Sequence, residues 1–161
     1  MNQAENNKAT VRRFVEAINA HDWAALSALI APDFVRHSYA AGQPGVRSRE
    51  DLIRFLRLES ESFPDGQETL LDLMAEGNKV AARHEFKGTQ LGPLGPYPAS
   101  GKVLQAVYLA IYRFERGLIV EAWVEWDNQS TLAQLGHAQP VSQSGPRENC
   151  SDCSQNPEHL T

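Results

Sequence analysis

Lys79-Val80-Ala81-Ala82-Arg83-His84-Glu85-Phe86-Lys87 places Val80, Ala82, His84 and Phe86 at one parity and Ala81, Arg83, Glu85 and Lys87 at the other. A period of two is the signature of a strand with one face on a core and one toward water. Glu76-Gly77-Asn78 before it is a tight turn, and Glu68 to Ala75 reads as the preceding strand. A Gly/Pro loop runs from Gly88 to Gly101. Val103 to Glu115 and Leu118 to Trp126 are two more strands, joined at Arg116-Gly117. A short helix follows Asp127 or Asn128 as cap and stops at Gly136.

Upstream the period changes to that of a helix. Val11, Phe14, Val15 and Ile18 predict an amphipathic helix over Lys8 to Ala20. Asp22 caps a second helix with Trp23, Leu26, Leu29 and Ile30 inward, ended by Pro32-Asp33. Phe34 to His37 is a short strand, and Gly42 to Gly45 a loop. Ser48 and Asp51 form a capping box for a third helix carrying Leu52, Ile53, Phe55, Leu56 and Glu59. Helices segregated from a meander of strands define the α+β class.

The length of 161 residues suits one domain with a real core. A net charge of −5 without a basic run argues against a nucleic-acid surface. No apolar run approaches a membrane span, and the polar start lacks the layout of a signal peptide, so the expected location is cytoplasmic. The expected division is a flexible start over 1–7, a domain over 8–137 and a disordered polar tail over 138–161. Both cysteines, Cys150 and Cys153, lie in that tail. Their spacing suits a redox pair or half a zinc site, but with His159 as third donor and no fourth they read as thiols of a flexible segment.

Trp123-Val124-Glu125-Trp126-Asp127 sets an acid among indole rings. Poor solvation there would raise the pKa of Asp127 and fit it for proton transfer near neutral pH. As a helix cap the same carboxylate would instead have its pKa lowered.

Several blocks carry a family resemblance: Glu76 to Ala81, Phe86 to Thr89, Pro98 to Lys102, Tyr112 to Trp123, Trp126-Asp127 and Leu132 to Gly136. Over roughly residues 8 to 136 the chain resembles the SnoaL-like polyketide cyclases, or ester cyclase group. The resemblance implies the nuclear transport factor 2-like fold, a cone-shaped, strongly curved antiparallel sheet packed against N-terminal helices around a hydrophobic pocket. It also implies a homodimer built through the sheet, no cofactor and no metal. The activity it implies is an intramolecular aldol ring closure, with the acid/base aspartate mapping onto Asp127. Members commonly carry a histidine after the Gly-Thr pair, where this chain has Gln90, whose amide can donate a hydrogen bond but cannot carry charge.

The expected site is therefore Asp127 as base and His84 as neutral donor to an enolate. His37, Tyr108, Tyr112, Trp123 and Gln90 would contact a small hydrophobic or aromatic carbonyl compound. Each has a plainer reading: a core histidine, a loop histidine, aromatic core with wetted hydroxyls. Glu121, at the parity of Trp123 and Asp127, is expected to pair with Arg83 or Arg113. The competing functions are another pocket enzyme on this scaffold (an isomerase, dehydratase or epoxide hydrolase) and a non-catalytic small-molecule-binding or dimeric module.

Overall fold

A computed structural model describes residues 2–40 and 45–138. The cysteines and all but the first residue of the expected tail lie outside the described residues. In chain order the elements are α1 (Gln3–Asn19), α2 (Trp23–Ser27), β1 (Ile30–His37), α3 (Arg49–Ser62), β2 (Gln67–Glu76), β3 (Lys79–Thr89), β4 (Val103–Glu115), β5 (Leu118–Trp126) and α4 (Asn128–Gln134). The order helix, helix, strand, helix, four strands, helix is the one expected. Among the described residues no helix is long and apolar enough to cross a membrane.

The caps explain where the helices begin. Asp22 accepts from Ala25 N at 2.9 Å and Ser48 from Asp51 N at 3.0 Å. Asp51 reaches back past the cap itself, to Arg47 N at 3.3 Å. The first helix starts earlier than its apolar period: Asn2 accepts from Glu5 N, so residues 3–7, expected to be flexible, form the first turns of α1. The second helix ends earlier than expected, at Ser27. Leu29 and Ile30 leave it because β5 captures them, Ile119 N donating to Leu29 O at 2.9 Å and Ile30 pairing with Ile119. Pro32, expected to stop a helix, sits instead in an edge strand whose register shifts between Ile30 and Val35.

The five strands form one open, curved sheet in the order β1-β5-β4-β3-β2. All pairs are antiparallel except β1 with β5, so the expected antiparallel meander of β2 to β5 carries one parallel edge strand. Register shifts that skip Leu71 of β2 and Val120 of β5 bend those strands. The β4–β5 turn has Arg116 at φ 50° and Gly117 at φ 80°, the two positive angles that match strand twist in a tight hairpin.

Strand alternation puts Val80, Ala82 and His84 inside, as the opening stretch requires. The same alternation turns Phe34 and Arg36 of β1, Tyr108 and Tyr112 of β4, and Ala122, Val124 and Trp126 of β5 to the concave face. The helices α1 and α3 cover that face, and Val11, Phe14, Leu52 and Leu56 join the strands in the main core.

Candidate functional site

A cavity of about 570 Å³ opens on the concave face. Its walls are the inner residues of the sheet, α1, α3, α4 and the 94–97 stretch of the Gly/Pro loop. Most of the lining is apolar, including Phe63, Phe86, Leu104 and Leu132, as is usual for small-molecule sites. The polar groups in the wall include Arg36, Glu59, Glu68, Tyr108 and Tyr112.

Glu59 comes from the inner face of α3, one turn after Leu56. Removal from water first and the nearby charge of Glu68 second push its carboxyl up to about 7, against a smaller opposing pull from Arg36. Arg36 alternates with Phe34 along β1 and lies over two rings, 4.7 Å from the centre of Phe55 and 5.5 Å from that of Trp126. Burial lowers its pKa, and Glu59, Tyr108 and Tyr112 partly offset that. Glu68 is held at the start of β2 by Asn19, whose amide both donates to Glu68 O and accepts from Glu68 N at 2.8 Å. Tyr108 donates its hydroxyl proton to Glu68 Oε2 at 2.5 Å. Burial first and the charge of Glu68 second raise the pKa of Tyr108 and of Tyr112 well above the usual range, so both stay protonated.

His84 is fully buried one layer behind this wall. Its ring lies flat against Tyr108, centres 4.5 Å apart and planes within 4°. Nε2 is 3.1 Å from the Tyr112 hydroxyl, and Nδ1 is 3.2 Å from Glu68 Oε2.

Asp127 is not at the cavity. It is exposed and caps α4, accepting from Ser130 N at 2.9 Å. The expectation that it sits sequestered among indoles is corrected by parity: β5 turns Ala122, Val124 and Trp126 inward, so Glu121, Trp123 and Asp127 fall on the other side. None of the three inward residues carries a titratable group.

The same parity moves His37 and Trp123 to the outer face of the sheet, where their rings stack at 5.2 Å. His37 Nε2 meets Glu121 Oε1 at 2.7 Å, and Glu121 pairs with Arg113 at 2.6 Å, the expected ion pair. Gln90 is fully buried but braces the loop: its amide donates to Gly92 O and Pro98 O, and its Oε1 lies 2.8 Å from His137 Nε2. The ring of His137 stacks on Tyr97, a wall residue. Gly92 lets this loop lie against the end of α3, since a Cβ there would meet Glu61 O at 2.4 Å.

Of the expected contacts, Tyr108 and Tyr112 line the cavity. Three groups were missed: Arg36, Glu59 and Glu68. Each is a charged residue at an inward position of its element, a signal visible once the period is set. Glu59 even falls on the apolar row of α3.

The profile of the SnoaL-like polyketide cyclases matches residues 8–135, and the chain belongs to that family. No curated protein sequence matches it significantly. Among solved structures it is similar to IdmH of Streptomyces antibioticus, a candidate polyketide cyclase, at 33% identity and TM-score 0.70 over 81% of this chain and 98% of that one. It is also similar to TsrD of Streptomyces laurentii, at 28% identity and TM-score 0.74 over 85% and 98%. AclR of Streptomyces galilaeus, a candidate hydroxylase, follows at 26% identity and TM-score 0.75 over 88% and 87%.

Proposed function

We propose that this protein is a cofactor-independent acid–base enzyme that moves a proton at the carbon next to a carbonyl and closes a ring within one hydrophobic or aromatic substrate. One observation carries the reading: a carboxyl poised at about 7, Glu59, lines an apolar cavity beside the guanidinium of Arg36. A carboxyl tuned to ambient pH is suited to give and take protons. The guanidinium of Arg36, in the cavity wall, would stabilise a developing oxyanion. The apolar walls hold the chain folded on itself, which removes entropy from the barrier.

The test uses 2-tetralone, an aromatic ketone, in D₂O. The protein should speed exchange of its α-protons, followed by NMR, and Glu59→Gln should abolish the acceleration. Exchange at the buffer rate with the intact protein would remove the reading.

A second reading has its own support. Glu59 lies within electrostatic reach of both Glu68 and Arg36. Two acids with one arginine could open an epoxide, one protonating the ring oxygen and the other activating water. Hydrolysis of styrene oxide without exchange of 2-tetralone would favour it.

The outer face of β4 exposes Val107, Leu109 and Ile111, and β2 adds Met74. Such an apolar patch supports a homodimer built through the sheet.

A further inference from the structure

His84 raises a question of proton inventory. It has no exposed surface and is not part of the cavity wall, yet it touches three residues that are, Glu68, Tyr108 and Tyr112. Nδ1 lies 3.2 Å from Glu68 Oε2, out of line for a directed hydrogen bond, and has no other partner among the described residues. A lone pair on Nδ1 would face a carboxylate oxygen and be repelled. A proton on Nδ1 is attracted. With the second nitrogen unprotonated, the lone pair is on Nε2 and the Tyr112 hydroxyl 3.1 Å away is the donor. Tyr112 thus directs its single proton inward and turns oxygen lone pairs to the cavity. Tyr108 does the same toward Glu68. In this arrangement the two tyrosines present acceptors to the cavity rather than hydroxyl donors.

From this arrangement we infer that Glu68, His84 and Tyr112 form a proton relay, in which the Tyr112 oxygen takes a proton from the bound substrate while passing its own to His84 Nε2. The inference rests on the acid–base reading above and supplies the base that complements Glu59. The substrate C–H bond breaks and its electron pair stays behind as an enolate. The proton bonds to the Tyr112 oxygen as the original O–H bond breaks toward Nε2. The imidazolium formed is balanced by the Glu68 carboxylate. Glu59, in its protonated form, gives its proton to the carbonyl oxygen that the enolate attacks. On reset His84 returns its proton through Tyr112 to Glu59, so the net change is one proton moved from carbon to oxygen. Tyr112 never holds a negative charge, which its buried position beside Glu68 would oppose.

Two measurements test the relay. In ¹⁵N-labelled protein, long-range ¹H–¹⁵N correlation should show His84 neutral with its proton on Nδ1, and Tyr112→Phe should shift the Nε2 resonance by removing the bond it accepts. A proton on Nε2 in the intact protein would overturn the relay, because Tyr112 would then be free to donate to the cavity. In the 2-tetralone exchange assay, His84→Gln and Tyr112→Phe should each lower the saturating rate about a hundredfold or more, with the half-saturating concentration unchanged. The double variant should be no slower than the slower single, as expected for groups acting as one unit. Tyr112→Phe removes one oxygen and keeps the ring, so it serves if His84→Gln fails to fold. Loss of exchange in Glu59→Gln with full exchange in Tyr112→Phe would sink the relay and leave the acid–base reading standing. An intact protein that does not speed exchange removes both.

Discussion

Replacing Glu59 with Gln should make this protein more stable at alkaline pH. The carboxyl has an ordinary value of 4.5 and stands at about 7 in the folded chain. A rise of that size costs the ionised form about 3 kcal/mol relative to the unfolded chain. The sign follows from proton binding. Between 4.5 and 7 the folded state holds the proton more tightly than the unfolded state, so stability falls as pH rises through that window. The penalty is fully present above 7 and absent below 4.5. Glutamine keeps the shape and never ionises. Urea unfolding at pH 8 should therefore show Glu59→Gln more stable by about 3 kcal/mol, and the gain should shrink below about 1 kcal/mol at pH 5. In a chain of this size the alkaline gain corresponds to a rise in Tm of about 6–12 °C. Proton exchange on 2-tetralone should be lost in the same variant, the usual opposition of activity and stability. A variant no more stable than the parent at pH 8, with the same pH slope, would show that Glu59 is not held out of water and would undo the assignment of the site.

Asp127→Asn should leave both stability and exchange unchanged, since asparagine caps as well as aspartate, whereas Asp127→Ala should cost about 1 kcal/mol in urea unfolding through the lost bond to Ser130 N. Loss of exchange in Asp127→Asn would return that residue to the mechanism. Gln90→Ala removes the buried brace between the loop and His137 and should destabilise by about 1–3 kcal/mol, with faster amide exchange at Leu91 and Gly92. Leu109→Lys places a charge in the middle of the exposed apolar strip and should yield a monomer by sedimentation. An unaltered mass would mean that the sheet face is not the contact.

The sequence made the sheet legible because its period is strict. The alternation of β3 fixes His84 inward, and the hairpin at Arg116-Gly117 follows from local turn chemistry. The helix caps were equally local: Asp22 and Ser48 do what their spacing to Ala25 and Asp51 requires. What could not be read was which parity of β5 faces the core. Both sets of that strand contain a tryptophan, Trp123 on one and Trp126 on the other, so hydrophobicity alone does not choose. Register with β4 decides it, setting Ala122 opposite the buried Tyr112 and Val124 opposite the buried Ala110. That one ambiguity carried Asp127 and Trp123 to the wrong side, and His37 was misplaced because the pairing of β1 with β5 is a tertiary contact. Gln90 was misplaced for a different reason. Its partners are backbone carbonyls of a loop and a histidine beyond α4, contacts of tertiary origin.

With β5 offering no titratable group to the cavity, the ionisable groups of its polar wall come from other elements. There α3 supplies Glu59, β2 supplies Glu68, and β1 supplies a cation fixed between Phe55 of α3 and Trp126 of β5. The cation thus lies over one ring of the helix layer and one of the sheet. An apolar residue at 59 would bury the same surface without the cost of stripping water from an ion. Glu59 sits where Leu56 and Leu52 continue as a row, and a leucine there would extend the core by one turn. A cavity that was merely incomplete packing would not concentrate three ionisable groups and two inward-bonded tyrosines at its polar wall. Under the proposed function, the energy that Glu59 takes from the folded state at neutral pH is the cost of keeping this hollow for chemistry, and it is the quantity the pH 8 comparison reads directly.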